Sequence, residues 1–190
     1  MIPDLLTLDT LVISQTKSFI ADEFSISDEH GSPVGTVVQS TDLKDFFMGS
    51  RGLTVAATDA DGTSTAPVLI IQDLPNFVFD TYEVYLPQEE EPLAIISQKW
   101  SFLKTRLSLT MAGFPDVEIT GNFWDLDFAI ASEGQPLARV TTGWTGLSNY
   151  MLGKNTYLLT IRPGLDSRQH AALLGATMSL DMLRAKKQDD

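Results

Sequence analysis

The densest positive charge before the chain's C-terminal tail is Lys99, Lys104 and Arg106, in the stretch Gln-Lys-Trp-Ser-Phe-Leu-Lys-Thr-Arg that begins at Gln98. Two or three converging cations can hold a phosphate through charge-assisted hydrogen bonds, and Trp100 among them suits the interfacial zone of a membrane. Lys104 and Arg106 share one face of an extended strand, while Lys99 has the other parity unless a bulge intervenes. The competing reading is a set of ordinary surface cations on a chain of formal net charge −12.

Acidic groups offer other chemistry. Asp59-Ala60-Asp61-Gly62-Thr63 resembles the start of a calcium loop, but the complete pattern needs a third oxygen ligand and a later Glu, where Ala66-Pro67 and an apolar run follow. A Gly-assisted hairpin turn is the simpler expectation. Glu89-Glu90-Glu91 reads as a solvated loop. Asp125 and Asp127 stand at the i, i+2 spacing that places two carboxylates on one strand face, or that caps a strand end. Of the two histidines, His30 falls in the Asp28–Gly31 turn and His170 near the start of the terminal helix. His170 could act as a general base; a polar residue at a barrel mouth is the alternative. No nucleophile elbow, phosphate-binding loop, dinucleotide fingerprint or zincin motif occurs. The expectation is a non-enzymatic protein with no cofactor and no metal.

These residues must be positioned by strands. Phe24–Gln39, Tyr82–Gln98 and Phe128–Thr141 share one layout: an aromatic followed two residues later by Ile or Val, a polar turn, then Pro-[Val/Leu]-[Gly/Ala] and renewed alternation. Period-two alternation around turn residues signals a β-hairpin. It points Phe24, Tyr82 and Phe128 inward together with Ile26, Val84 and Ile130. Further strands are expected at Leu53–Thr58, Ala66–Asp73, Ser101–Met111, Val117–Phe123 and Thr156–Arg162, about ten to twelve in all.

The tail differs. From Asp166 the chain reads as one helix, about 166–185, capped by Asp166 or Ser167 and apolar on every face through Leu173, Leu174, Met178 and their neighbours. Its apolar stretch, Ala171–Leu183, is 13 residues long against the roughly 20 that a bilayer span needs. A barrel of more than eight strands needs a filler, and the small residues Ala171, Ala172, Gly175 and Ala176 let a helix approach the strands closely. The expectation is a mainly β, closed antiparallel barrel of about twelve strands around a central C-terminal helix, one domain over residues 1–190. Asp181 on that helix must find a partner, with Arg184 the nearest, or serve as a polar step in a binding or conduction path.

Composition adds bounds. The chain has no cysteine. Residues 1–95 hold 16 carboxylates against 3 basic residues, and residues 96–190 hold 9 against 10. The first half therefore repels nucleic acid, which is not expected as a partner. The first residues, MIPDLLTLDT, show no basic stretch followed by an apolar run, which makes a cytoplasmic location the expectation.

Three segments carry a family resemblance: GNFWDLDFAI (Gly121–Ile130), QKWSFLKTRLSL (Gln98–Leu109), and the run from Lys154 to Asp181 with its last strand, Pro-Gly-x-Asp junction and helix. Over about residues 10–184 the chain resembles the LURP-one-related and phospholipid scramblase-like proteins, which share the tubby-like fold. The resemblance implies a twelve-stranded barrel around a central helix and an association with membrane lipid. Tubby-like proteins carry a basic headgroup site on the barrel, which brings Lys99, Lys104 and Arg106 forward as the candidate site. Where scramblases have an acidic calcium segment this chain has Gly153, Lys154, Asn155 and Thr156, so a calcium trigger is not expected. The functional expectation is a lipid-headgroup or membrane-surface module, peripheral to the membrane. A protein-interaction scaffold or a true scramblase are the alternatives.

Overall fold

The computed structural model describes residues 4–17, 22–40, 51–59, 62–74, 80–99, 106–142 and 156–188. Twelve antiparallel strands form one sheet: β1 (Thr10–Lys17), β2 (Asp22–Ser27), β3 (Pro33–Ser40), β4 (Arg51–Thr58), β5 (Ser64–Leu74), β6 (Thr81–Tyr85), β7 (Ala94–Lys99), β8 (Arg106–Met111), β9 (Val117–Asn122), β10 (Asp127–Ser132), β11 (Gln135–Thr141) and β12 (Thr156–Ile161). Their order is β8-β7-β6-β5-β4-β3-β2-β1-β12-β11-β10-β9. It is a meander throughout, joined by pairing the first strand to the last. The two edges, β8 and β9, are consecutive in the chain, and the barrel is nearly closed where they meet.

Along the axis lies one helix, α1 (Ser167–Gln188), three residues longer at its end than the sequence suggests. The cap is reciprocal: the Gln169 amide donates to Asp166 Oδ1 at 2.8 Å, and the Asp166 amide to Gln169 Oε1 at 3.0 Å. Leu173, Leu174 and Met178 are wholly buried, as a helix apolar on all sides requires. The inward set expected from the hairpin pattern is also buried: Phe24, Tyr82 and Phe128 with Ile26, Val84 and Ile130. Gly175 is where helix and wall come closest. A Cβ there would lie 2.3 Å from Val84 Cγ1, so only glycine fits. No helix among the described residues is long and apolar enough to cross a membrane.

Strand direction gives the barrel two distinct ends. The Asp28–Ser32 and Asp59–Thr63 turns, the Leu86–Leu93 loop, Asp116, Glu133 and the helix cap Asp166 all fall at the end where α1 begins. The starts of β2, β4, β6, β8, β10 and β12 lie at the other, where α1 leaves. We call these the acidic end and the exit end.

Candidate functional site

Lys99 closes β7 and Arg106 opens β8, and the two stand opposite each other in register at the exit end. They lie on neighbouring strands, so the single-strand parity that set Lys99 apart from Arg106 does not apply. Lys104 and Trp100, between them in sequence, lie outside the described residues. Two other cation positions in the sheet at this end have acidic register partners: Lys17 stands opposite Asp22, and Arg51 opposite Asp73. Like charges directly opposite in a ladder destabilise it, whereas opposite charges contribute. Lys99 and Arg106 are thus a register pair of like charge at this end.

At the same end the helix terminus supplies ion pairs. Lys186 Nζ reaches Asp80 Oδ1 at 2.5 Å and Asp73 Oδ2 at 3.4 Å. Desolvation works to lower the Lys186 pKa, but the bond to Asp80 and the charges of Asp73 and Asp80 outweigh it and raise it above the ordinary value. Asp181 is 4% exposed and accepts from Arg184 Nε at 3.1 Å and Nη2 at 2.9 Å. Burial, and then the Asp181 charge, push the Tyr157 hydroxyl well above its usual pKa. That hydroxyl donates to Met178 Sδ at 3.3 Å. A cavity of about 120 Å3 opens here, walled by Phe24, Leu53 and Tyr82 and lined by Asp73, Arg184 and Lys186. Asp181 thus sits at the barrel exit and pairs with Arg184, the structural alternative of the two expected for it.

Other candidates resolve into turn and cap chemistry. Asp125 and Asp127 do not share a strand face. Asp125 ends a 3-10 turn, Phe123–Asp125, which Asn122 caps and Leu126 closes at φ 54°, while Asp127 begins β10 and pairs with Arg139. Asp59 Oδ1 accepts the Thr63 amide at 2.9 Å within a turn that includes Gly62 at φ 77°, as a hairpin turn requires.

At the acidic end, Glu89 bonds Arg168, and the guanidinium holds the Glu89 carboxyl below the ordinary range. Desolvation is the largest single influence on Asp28 and raises its pKa, but the Ser32 and His30 amides that donate to it together outweigh it, so the net shift is downward. His170 is buried, with Nδ1 2.9 Å from the Asp166 carbonyl oxygen and Nε2 3.3 Å from Asp9 Oδ1, which ties the helix start to the start of β1. That is the barrel-mouth role. His30 is exposed in its turn. A second cavity, about 400 Å3, is lined by Asp9, Asp28, Glu29 and His30. Among the described residues no three His, Asp or Glu side chains gather as a metal site.

Sequence reasoning missed Lys186 with Asp73 and Asp80. The partners lie 113 and 106 residues away along the chain, and only the closed barrel joins them.

A crystal structure of a protein from Arabidopsis thaliana has the same fold, with a TM-score of 0.51 at 15% identity over 94% of this chain and 96% of that one. No curated protein matches the chain in sequence. The LURP-one-related family model matches residues 9–177, which take in all twelve strands and the first half of the helix inside them. The chain belongs to the LURP-one-related family.

Proposed function

We propose that this barrel is a non-enzymatic module that binds an anionic membrane surface through phospholipid headgroups, with Lys99 and Arg106 as its anion site and Lys104 as their neighbour in sequence. The observation that carries this reading is the register pairing of Lys99 with Arg106, at an end where Lys17 and Arg51 stand opposite carboxylates. A like-charge pair costs the ladder stability, and an anion between the two relieves that cost. The module works peripherally, on the cytoplasmic leaflet, where anionic lipid concentrates.

Vesicle co-sedimentation at 100 mM salt tests it, with phosphatidylcholine alone and with 30% phosphatidylserine added. Binding is expected to the anionic vesicles and to weaken as salt rises. Each cation near such a surface contributes about 1 kcal/mol, so Lys99→Gln with Arg106→Gln should weaken binding about thirtyfold. The same double variant should melt no lower than the parent, because it removes a repulsive cross-strand pair. Absence of binding to anionic vesicles, or binding indifferent to the double substitution, would overturn the proposal.

A further inference from the structure

We infer that the barrel docks end-on, with its exit end against the bilayer and Trp124 seated in the interfacial layer. The inference rests on the membrane-surface reading above and adds the geometry and the apolar anchor.

Charge sets the direction. The acidic end carries Asp28, Asp59, the Glu89–Glu91 run and Asp166, while at the exit end Asp73 and Asp80 pair with Lys186, Asp127 with Arg139 and Asp181 with Arg184, and Lys99 and Arg106 add positive charge against Asp22 and Asp125. A side-on approach would bring both groups to the surface together. The 22 residues of α1 make the axis about 33 Å long. The Debye length at 0.1 M salt is about 10 Å, so in an end-on pose the acidic end is screened from the bilayer. A chain of net charge −12 then meets less repulsion from an anionic surface at the exit end than at the acidic end.

Apolar exposure selects the same end. Among the described residues the large apolar side chains left exposed are Val38, at 42%, and Trp124, at 38%. Val38 lies in the exit-end half of β3, and Trp124 lies on the turn between β9 and β10 at that end. The turn is a rigid mount: the Trp124 amide donates to Asn122 Oδ1 at 3.1 Å, and the Phe123 ring, packed against the core, lies 4.3 Å from the indole. Indole is the side chain most enriched at membrane–water interfaces. The other two tryptophans, Trp100 and Trp144, fall outside the described residues.

The test uses two variants of the full chain. In one, Trp100→Phe and Trp144→Phe leave Trp124 as the single indole. In the other, Glu90→Cys places a unique thiol at the acidic end of a chain that has no cysteine, for an environment-sensitive label. With 30% phosphatidylserine vesicles, the emission of Trp124 should shift to the blue and be quenched by lipids brominated near the headgroup. The label at residue 90 should not respond. Trp124→Ala should weaken binding about tenfold, as expected for returning a partly exposed aromatic surface to water, with its melting temperature held. Vesicle binding with Trp124 unmoved, or with the residue 90 label responding, would overturn end-on docking while leaving the membrane reading in place. Absence of vesicle binding would overturn both.

Discussion

At the scale of single residues, the buried charge on α1 is the most exacting requirement. Asp181 stood out in the sequence because a carboxylate in an otherwise apolar helix must be compensated. Its partner was legible too, since Arg184 follows one helical turn later. The Lys186 pairs were not, because their acids reach the helix only through the closed sheet. Breaking one partner of a buried ion pair costs roughly 3–5 kcal/mol, whereas replacing both with apolar groups is often neutral. Arg184 keeps 21% of its side chain exposed, which moves the expectation to the low end. Arg184→Met should therefore destabilise by about 2–3 kcal/mol in urea unfolding, and Asp181→Leu with Arg184→Met should recover most of that. If the double variant is as unstable as the single one, the pair is not what keeps Asp181 tolerable.

At the scale of elements, the three repeated hairpins were legible because inward and outward residues alternate cleanly around Gly- or Glu-rich turns. β1 carries no strand signal in the sequence. Its Leu11, Val12 and Ile13 are consecutive and all buried, which erases the period of two that marks a half-exposed strand. Asp125 leaves the strand face expected of it for a local reason. Asn122 bonds both the Trp124 amide and Asp125, at 3.1 and 2.6 Å, and bends a stretch that composition alone reads as continuous strand. The candidate cations were legible as a cluster, but their opposition across β7 and β8 depends on where the hairpin turns. Packing between helix and wall gives the test at this scale. Gly175→Ala gains about 1 kcal/mol of helix propensity, yet its Cβ meets the stiff, branched Val84 at 2.3 Å. Overpacking of this kind costs about 1–3 kcal/mol, so the variant should be destabilised on balance. Val84→Ala in the same chain should restore part of the loss, an interaction that a double-mutant cycle measures directly.

At the scale of the whole molecule, charge is organised by geometry more than by chain position. The halves of the sequence differ by many charges, but the barrel interleaves them, and carboxylates from both halves meet where α1 begins. Asp28, Asp59 and Glu89–Glu91 come from the first half, and Asp116, Glu133 and Asp166 from the second. Such crowding strains the folded state by self-repulsion, and ion pairs such as Glu89–Arg168 offset only part of it. At 10 mM salt the Debye length, about 30 Å, is comparable to the barrel axis, so every carboxylate feels the rest; at 150 mM it is about 8 Å. Sodium chloride added over that range should therefore raise the melting temperature, by about 3 °C for each kcal/mol of repulsion relieved in a chain of this size. Glu90→Gln with Glu91→Gln should raise the low-salt melting temperature and shrink the salt increment, since both changes remove the same repulsion. A melting temperature that falls with salt would mean that attraction within pairs such as Lys186–Asp80 outweighs repulsion across the acidic end. End-on approach would then lose its electrostatic support and rest on Trp124.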